Sequence, residues 1–424
     1  MPISNSAPAG KATRWLIPLV LFPHLLVAAY FGHRFIDYPD QDAYLSAAEN
    51  VVSGHGLSLS FDALGGFIKK GEPTSYYGVG APLFFGAQIA LFGQDYFVLR
   101  LGNILLFALS LLLFRGICLF WMSERWANVA MITMGLSPFY IVFNQLFLSE
   151  MPFLFCELGA FFFLFRYLKQ NATTDLVLSA VFIGLSLLVR TNLLFFLPVI
   201  AIVIGFNKRW SHALSYLGVA VLVVAPYCIR NSINNHAFFP FDGKAALNLW
   251  QFNSDVHQGN FWSENFEQAP QMPPLDGLTE KERSDLLLNL GLKWIKQHPI
   301  GFIRFAAMKA VRFFSPLPQK AANLKYAAIL TPYAIAIVVG FFVGLLTLWS
   351  KDPKSILVLL LFVYTLAIEM IFMTATRHRL LYDPFFVLVG FNYVASRNPL
   401  RNRRQLRDKL ASNLIDARPA RSQR

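Results

Sequence analysis

The chain has 424 residues, 55% of them hydrophobic and 14% charged, with a mean hydropathy of +0.47. Soluble domains carry about a quarter charged residues, so that class is excluded, and the absence of ten-residue alternating segments excludes an outer-membrane barrel. The net charge of +13 does not point to nucleic acid, because residues 397–424 alone hold nine Lys or Arg against two Asp, behind the last apolar run; such a tail reads as a cytoplasmic anchor on anionic lipid.

Apolar length predicts an all-α, polytopic integral membrane protein with about ten spans. In chain order they fall at roughly 15–34, 98–121, 127–145, 151–168, 174–189, 191–206, 213–229, 327–349, 355–375 and 380–396. Lys11 and Arg14 precede the first run as in a signal peptide. The run continues past Ala28 without a cleavage site, so an uncleaved first span is expected. With the N-terminus inside, Lys11, Arg14, Arg125, Lys169, Lys208, Arg209, Lys351, Lys354 and the tail share one face. That is the positive-inside pattern, and an even span count returns the C-terminus to the same side. The expected location is the inner (plasma) membrane, multi-pass, with both termini cytoplasmic. The "NAT" sequon at Asn171 then lies inside and is ignored. Cys118, Cys156 and Cys228 sit in apolar spans with no metal-type spacing and read as small hydrophobes.

The opposite face receives two large loops, about 35–97 and about 230–326. In the first, "DAYLSAAENVV" has helical spacing with Tyr44, Ala47, Ala48 and Val51 on one face, and Gly54 and Gly56 end it. "APLFFGAQIALFG" is too short to span and suits an interfacial helix. In the second loop, Thr279 and Glu282 form a capping-box pattern ahead of a helix that Pro299 closes. "IGFIRFAAMKAVRFF" is amphipathic and basic, as for a helix lying on the membrane. One transmembrane unit, 1–396, and a basic tail, 397–424, make up the chain.

Asp40 and Asp42 follow the first span and are candidate general bases toward a hydroxyl acceptor; equally, they are acids favoured at a helix N-terminus. Glu150, in "LSEMPF", is a candidate second carboxylate or metal ligand, or a helix-starting residue before Pro152. Arg190, Arg230, Arg377 and Arg379 lie on the face where cations are avoided. They are candidate phosphate ligands through their bidentate geometry, or partners of Asp40, Asp42, Asp383 or Glu369. His55, Tyr76, Tyr77 and Trp250 could line a sugar site, with interface-belt residues as the alternative for the aromatics. His24, His33 and His257 are isolated and suggest no metal. There is no Rossmann glycine motif, Walker loop or nucleophile elbow, so any sugar donor has to arrive in the membrane.

The motif order resembles the GT-C glycosyltransferases that draw sugar from a polyprenyl-phosphate carrier, of the protein O-mannosyltransferase, aminoarabinose-transferase and RgtA/B/C/D-like type. The resemblance covers most of residues 15–396. It is carried by "DQDAYLSAAENVVSGHGL", "APLFFGAQIALFGQDYFVLRLGN", "LSPFYIVFNQLFLSEMPF", "LLVRTNLLF", "VVAPYCIRNSINNHAFFPFD", "KWIKQHPIGFIRFAAMKAVRFF" and "RHRLLYDPFF" in that order. It implies a GT-C-like fold and a catalytic acid at Asp42 or Asp40. It also implies that Arg230, Asn231 and the other outer cations face the lipid phosphate, and that transfer inverts the sugar carbon. The implied partners are a polyprenyl-phosphate-linked sugar, an envelope glycan, glycolipid or protein acceptor, and the bilayer, with no nucleic acid. No cofactor is fixed, and a divalent cation is the one candidate. Several relatives add further spans or an outer acceptor-binding domain. Here acceptor recognition is expected to fall to the two loops or to a partner. A transporter or flippase for an anionic lipid or sugar-phosphate is the competing class, but the matched halves of discontinuous helices it calls for are absent.

Overall fold

The computed structural model describes residues 11–38, 40–254, 273–315, 324–348 and 352–397. The basic tail beyond Arg397, His257 and the second-loop stretches 255–272 and 316–323 lie outside the described residues. Within them the chain is helical, with two isolated bridges and no strands. The helices are α1 (Lys11–Phe31), α2 (Gln41–Val52), α3 (Gly80–Phe92), α4 (Tyr96–Cys118), α5 (Glu124–Gly135), α6 (Pro138–Phe143), α7 (Glu150–Gln170), α8 (Thr173–Val189), α9 (Leu197–Asn207), α10 (Trp210–Asn234), α11 (Lys244–Phe252), α12 (Glu280–Gln297), α13 (Pro299–Phe313), α14 (Leu324–Leu348), α15 (Pro353–Ile371), α16 (Thr376–Arg379) and α17 (Asp383–Ser396).

Among the described residues, α4, α7, α10, the Ala328–Leu348 part of α14, and α15 are long and apolar enough to cross a membrane. The other expected spans are shorter or interrupted, and proline accounts for much of this. The run expected at 127–145 divides into α5 and α6 because Pro138 offers no N–H and pushes Ser137 into an extended conformation. The run expected at 191–206 begins as a 3₁₀ turn, Thr191–Phe196, before Pro198 opens α9. Pro384 likewise starts α17 only at Asp383. α7 is the most enclosed of the long helices, and it carries Glu150 at its first residue.

The loop helices follow their local signals. α2 buries Ala43, Tyr44, Ala47 and Ala48, and positive φ at Gly54 and Gly56 turns the chain after it. The Thr279–Glu282 capping box starts α12, and Pro299 begins α13 directly behind it. α13 leaves Ile300, Ile303 and Val311 exposed.

The two loops are bound into one body. Ser75 donates from its N–H (2.9 Å) and its hydroxyl (2.7 Å) to the Glu280 carboxylate. Arg283 donates to Glu72 (2.7 Å) and to the Phe67 carbonyl (2.9 Å). The first loop also lies directly on the last turn of α8. A Cβ at Gly78 would stand 2.6 Å from the Leu188 and Val189 carbonyl oxygens, which are backbone and cannot swing away. Gly78→Ala is therefore expected to cost about 1–3 kcal/mol or more through overpacking. It should be read as a lower thermal midpoint of the purified protein. Gly218→Ala on α10, where a Cβ meets nothing within 4 Å, should leave the midpoint unchanged or raise it.

Candidate functional site

The segment 32–41 leads from α1 to the first candidate acid, and it is clamped from below. Arg100 of α4 is fully buried and donates to the carbonyls of Gly32, Arg34 (2.6 Å) and Gln145 (3.2 Å). Gln41 donates to the Ile36 carbonyl and accepts from the Phe147 N–H at 2.8 Å. These bonds lace segment 32–41 to the turn that carries Ser149 and Glu150. Spending a buried guanidinium on carbonyls alone fixes geometry, since each lost bond leaves a buried donor unsatisfied.

Asp40 ends that segment with φ +76, in the left-handed region that Asp tolerates. It stands at the N-cap of α2, yet its side chain makes no capping bond. The carboxylate instead accepts from Arg377 Nη2 at 2.7 Å and from the Tyr77 hydroxyl at 3.4 Å. Burial raises the Asp40 pKa, but the Arg377 guanidinium and then the Lys244 ammonium outweigh it and hold the group below the ordinary carboxylate range.

A second ion pair adjoins the first. Arg190, in extended backbone at the end of α8, donates from Nη1 to Glu150 Oε1 (3.2 Å) and to the Ser149 hydroxyl (3.0 Å). Tyr44 donates to the same hydroxyl at 2.9 Å. Both members are buried, at 8% and 3% side-chain exposure. Arg190 Nε and Glu150 Oε2 have no partner among the described residues.

The second loop contributes Asp242 and Lys244. Asp242 accepts from the Thr191 hydroxyl (3.0 Å) and from the Lys244 N–H (3.1 Å). The half-buried Lys244 ammonium sits 5.5 Å from the Tyr76 ring centroid. It makes no hydrogen bond or ion pair to a described residue, in contrast to both arginines. Burial, then repulsion from Arg190, lowers its pKa to about 8. Tyr76, Tyr77 and Tyr44 stack edge-on at 5.0 and 4.9 Å and wall the group.

Of the expected residues, then, Asp40, Tyr76, Tyr77, Glu150, Arg190 and Arg377 come together. Others do not join them. Asp42 is exposed and faces a separate cleft, and His55 is exposed on the turn after α2. Arg230 is committed to the carbonyls of Thr74 (2.7 Å) and Leu57 (2.9 Å) and to Asn231 (3.0 Å), so it fastens the first loop to α10. Asn231 is fully buried beside it. Arg379, 1% exposed, bonds Asp383 (3.2 Å) and the Ser315 carbonyl (3.0 Å). Trp250 packs half-buried against the core. Among the described residues no three His, Cys, Asp or Glu gather as metal ligands. Asp40 and Glu150 are each engaged by an arginine, which does not fit a divalent-ion site.

Sequence reasoning missed Lys244, Asp242, Tyr44 and Ser149. Lys244 was within reach of the sidedness argument that singled out the four arginines, since it too is a cation in a large outer loop. The others carry no sequence signal beyond type.

Residues 78–229 match the family described as dolichyl-phosphate-mannose-protein mannosyltransferase. That stretch holds Glu150 and Arg190 but not Asp40, Lys244 or Arg377. Among solved structures, ArnT from Cupriavidus metallidurans bound to undecaprenyl phosphate aligns at TM-score 0.46 and 14% identity, over 92% of this chain and 79% of its own. The archaeal oligosaccharyltransferase AglB from Archaeoglobus fulgidus, in complex with an inhibitory peptide and a dolichol-phosphate, aligns at TM-score 0.54 and 13% identity over 98% of this chain. The chain has the GT-C fold. It spans about half of AglB, 53% of that chain. No curated protein matches it in sequence. Within the GT-C fold, the ion pairs described above sit where the two loops meet the helix ends.

Proposed function

We propose that the protein is a glycosyltransferase that moves a sugar from a polyprenyl-phosphate carrier to a hydroxyl acceptor on the extracytoplasmic side of the membrane, with inversion at the sugar carbon. The observation that carries this is the gathering of Arg377, Arg190 and Lys244 with the carboxylates of Asp40, Glu150 and Asp242 at the helix ends. The matched dolichyl-phosphate-mannose-protein mannosyltransferase family, and AglB in its complex with a dolichol-phosphate, support the donor class. The positive-inside distribution supports an inner-membrane protein with both termini in the cytoplasm.

Asp40 takes the proton of the acceptor hydroxyl. The acceptor oxygen attacks the anomeric carbon from the face opposite the phosphate, and the bond from that carbon to the phosphate oxygen breaks. Arg377, Arg190 and Lys244 stabilise the charge that grows on the leaving polyprenyl phosphate. In the resting site Arg377 depresses the basicity of Asp40. A donor phosphate that shares Arg377 weakens that hold, so Asp40 becomes a stronger base when the donor is seated.

Two measurements test this. In the native host, a deletion strain should lose one sugar from an envelope glycan and accumulate the matching lipid-linked sugar, followed together by mass spectrometry. Unchanged glycans and carrier lipids in that strain would remove the proposal's main support. The second is pH dependence. Lys244 is charged below about pH 8 and loses its proton as pH rises through that value. Its attraction for the donor is therefore present at low pH and lost at high pH. kcat/KM for the donor, which reports free-enzyme ionisations, should fall above about pH 8. Lys244→Arg should carry the plateau to higher pH, and Lys244→Gln should be low and flat across it. An identical falling limb in Lys244→Gln would assign it to another group.

A further inference from the structure

Asp42 does not face the ion pairs, but it does face something built. α2 places Asp42 and Glu49 seven residues apart on one side of the helix, and they line a cleft of about 450 Å³. The far wall is Ser60, Phe61, Gln94 and Tyr96. That wall is fixed in place. The Ser60 N–H donates to the Ser46 hydroxyl at 2.9 Å, its own hydroxyl donates to Asn50 at 3.2 Å, Gln94 donates to Glu49, and the Tyr96 ring stacks on Phe147 at 5.6 Å. The Asp42 carboxylate and the Tyr96 hydroxyl bond no described residue, and Phe61 is 37% exposed.

The cleft thus offers carboxylate acceptors, hydroxyl and amide groups, and aromatic faces. In a chain of net charge +13, no Lys, Arg or His lines it. Carboxylates accept bonds from sugar hydroxyls and aromatic faces cover C–H surfaces, whereas two acids repel a phosphate or carboxylate. We infer that this cleft seats the acceptor and takes a non-anionic sugar ring. The inference rests on the glycosyl-transfer reading for the word "acceptor", but the sugar site can be tested without turnover. Asp40 is the N-cap of α2 and Asp42 lies in its first turn, so the two backbones are close although their carboxylates face different clefts. A ring held by Asp42 can therefore extend the next group of the same molecule round the helix end toward Asp40. The two carboxylates then divide the work, one holding acceptor and the other taking its proton.

The test is saturation-transfer NMR on the full-length protein in nanodiscs. The probes are methyl glycosides of glucose, galactose, mannose and N-acetylglucosamine, with glucose 6-phosphate as the anionic counterpart. At least one neutral glycoside should receive saturation. The signal should drop at least five-fold in Asp42→Asn and in Phe61→Ala, persist in Asp40→Asn, and be absent for the phosphate sugar. Equal signals in wild type and both cleft variants, no signal from any neutral glycoside, or equal binding of glucose 6-phosphate would each overturn the inference. These outcomes are separate from the glycan and carrier-lipid profile of the deletion strain. A bound sugar with unchanged carrier lipids would sink the transferase reading and leave a sugar site standing.

Discussion

Asp40→Asn is expected to lower transfer by roughly 10²–10⁴-fold, the range for loss of a positioned general base, and to leave the protein folded. The amide keeps the shape of the carboxylate and can still accept from Arg377, so membrane levels should match wild type. In the native host the lipid-linked sugar should accumulate while the corresponding glycan unit disappears. Asp42→Asn separates the two acids when transfer by the purified protein is measured against acceptor concentration. With Asp40 as the base, Asp42→Asn keeps its maximal rate at saturating acceptor. A loss of rate as deep as that of Asp40→Asn, with acceptor saturating, would move the base to Asp42. Both variants at wild-type rates would make the acids structural.

The second large effect concerns the buried pair. Arg190→Met leaves Glu150 enclosed without its cation, and breaking one side of such a pair costs about 3–5 kcal/mol. A sharp drop in thermal midpoint and in membrane yield is expected. Glu150→Gln should be milder, because the amide oxygen still accepts from Arg190 and the Ser149 hydroxyl still accepts from the same guanidinium. The double variant Arg190→Met, Glu150→Met is the informative one. Replacing a buried pair by apolar groups of similar volume is often neutral, so stability should return while transfer does not. Recovery of both would mean that Arg190 serves only to neutralise Glu150. Recovery of neither would mean that Ser149 and Tyr44 cannot keep the turn in place without the guanidinium.

What the sequence showed of this protein follows from the range of the forces involved. Helix starts and stops are local, so α2, α12 and α13 were legible from Gly54, Gly56, Pro299 and the Thr279–Glu282 capping box. Sidedness is also readable, and it drew attention to Arg190 and Arg377. It could not separate them from Arg230 and Arg379, because that distinction depends on which carbonyls happen to lie beside each guanidinium. Arg230 meets Leu57 and Thr74 from a loop more than 150 residues away in sequence, and no pattern encodes that. Asp40 and Asp42 posed the same difficulty on a smaller scale. Two acids at the head of a helix look alike in sequence, but Asp40, at the N-cap with a left-handed φ, meets Arg377, while Asp42 in the first turn does not. Counting spans by apolar length overlooked Pro138, which divides one expected run into α5 and α6, and Pro384, which delays the start of α17 to Asp383.

The balance of charge at the site has a consequence for how it is loaded. Arg190, Arg377 and Lys244 are offset by Glu150, Asp40 and Asp242, so the empty site is close to electroneutral and casts little field into the water. Free phosphates and nucleotides are not concentrated there from bulk solution, and encounter should be nearly insensitive to ionic strength. An anion has to be delivered by some other means, and a hydrocarbon tail confined to the bilayer does so in two dimensions. Near-neutrality therefore acts as a filter that favours a tethered phosphate over a soluble one, before any group at the site has touched it.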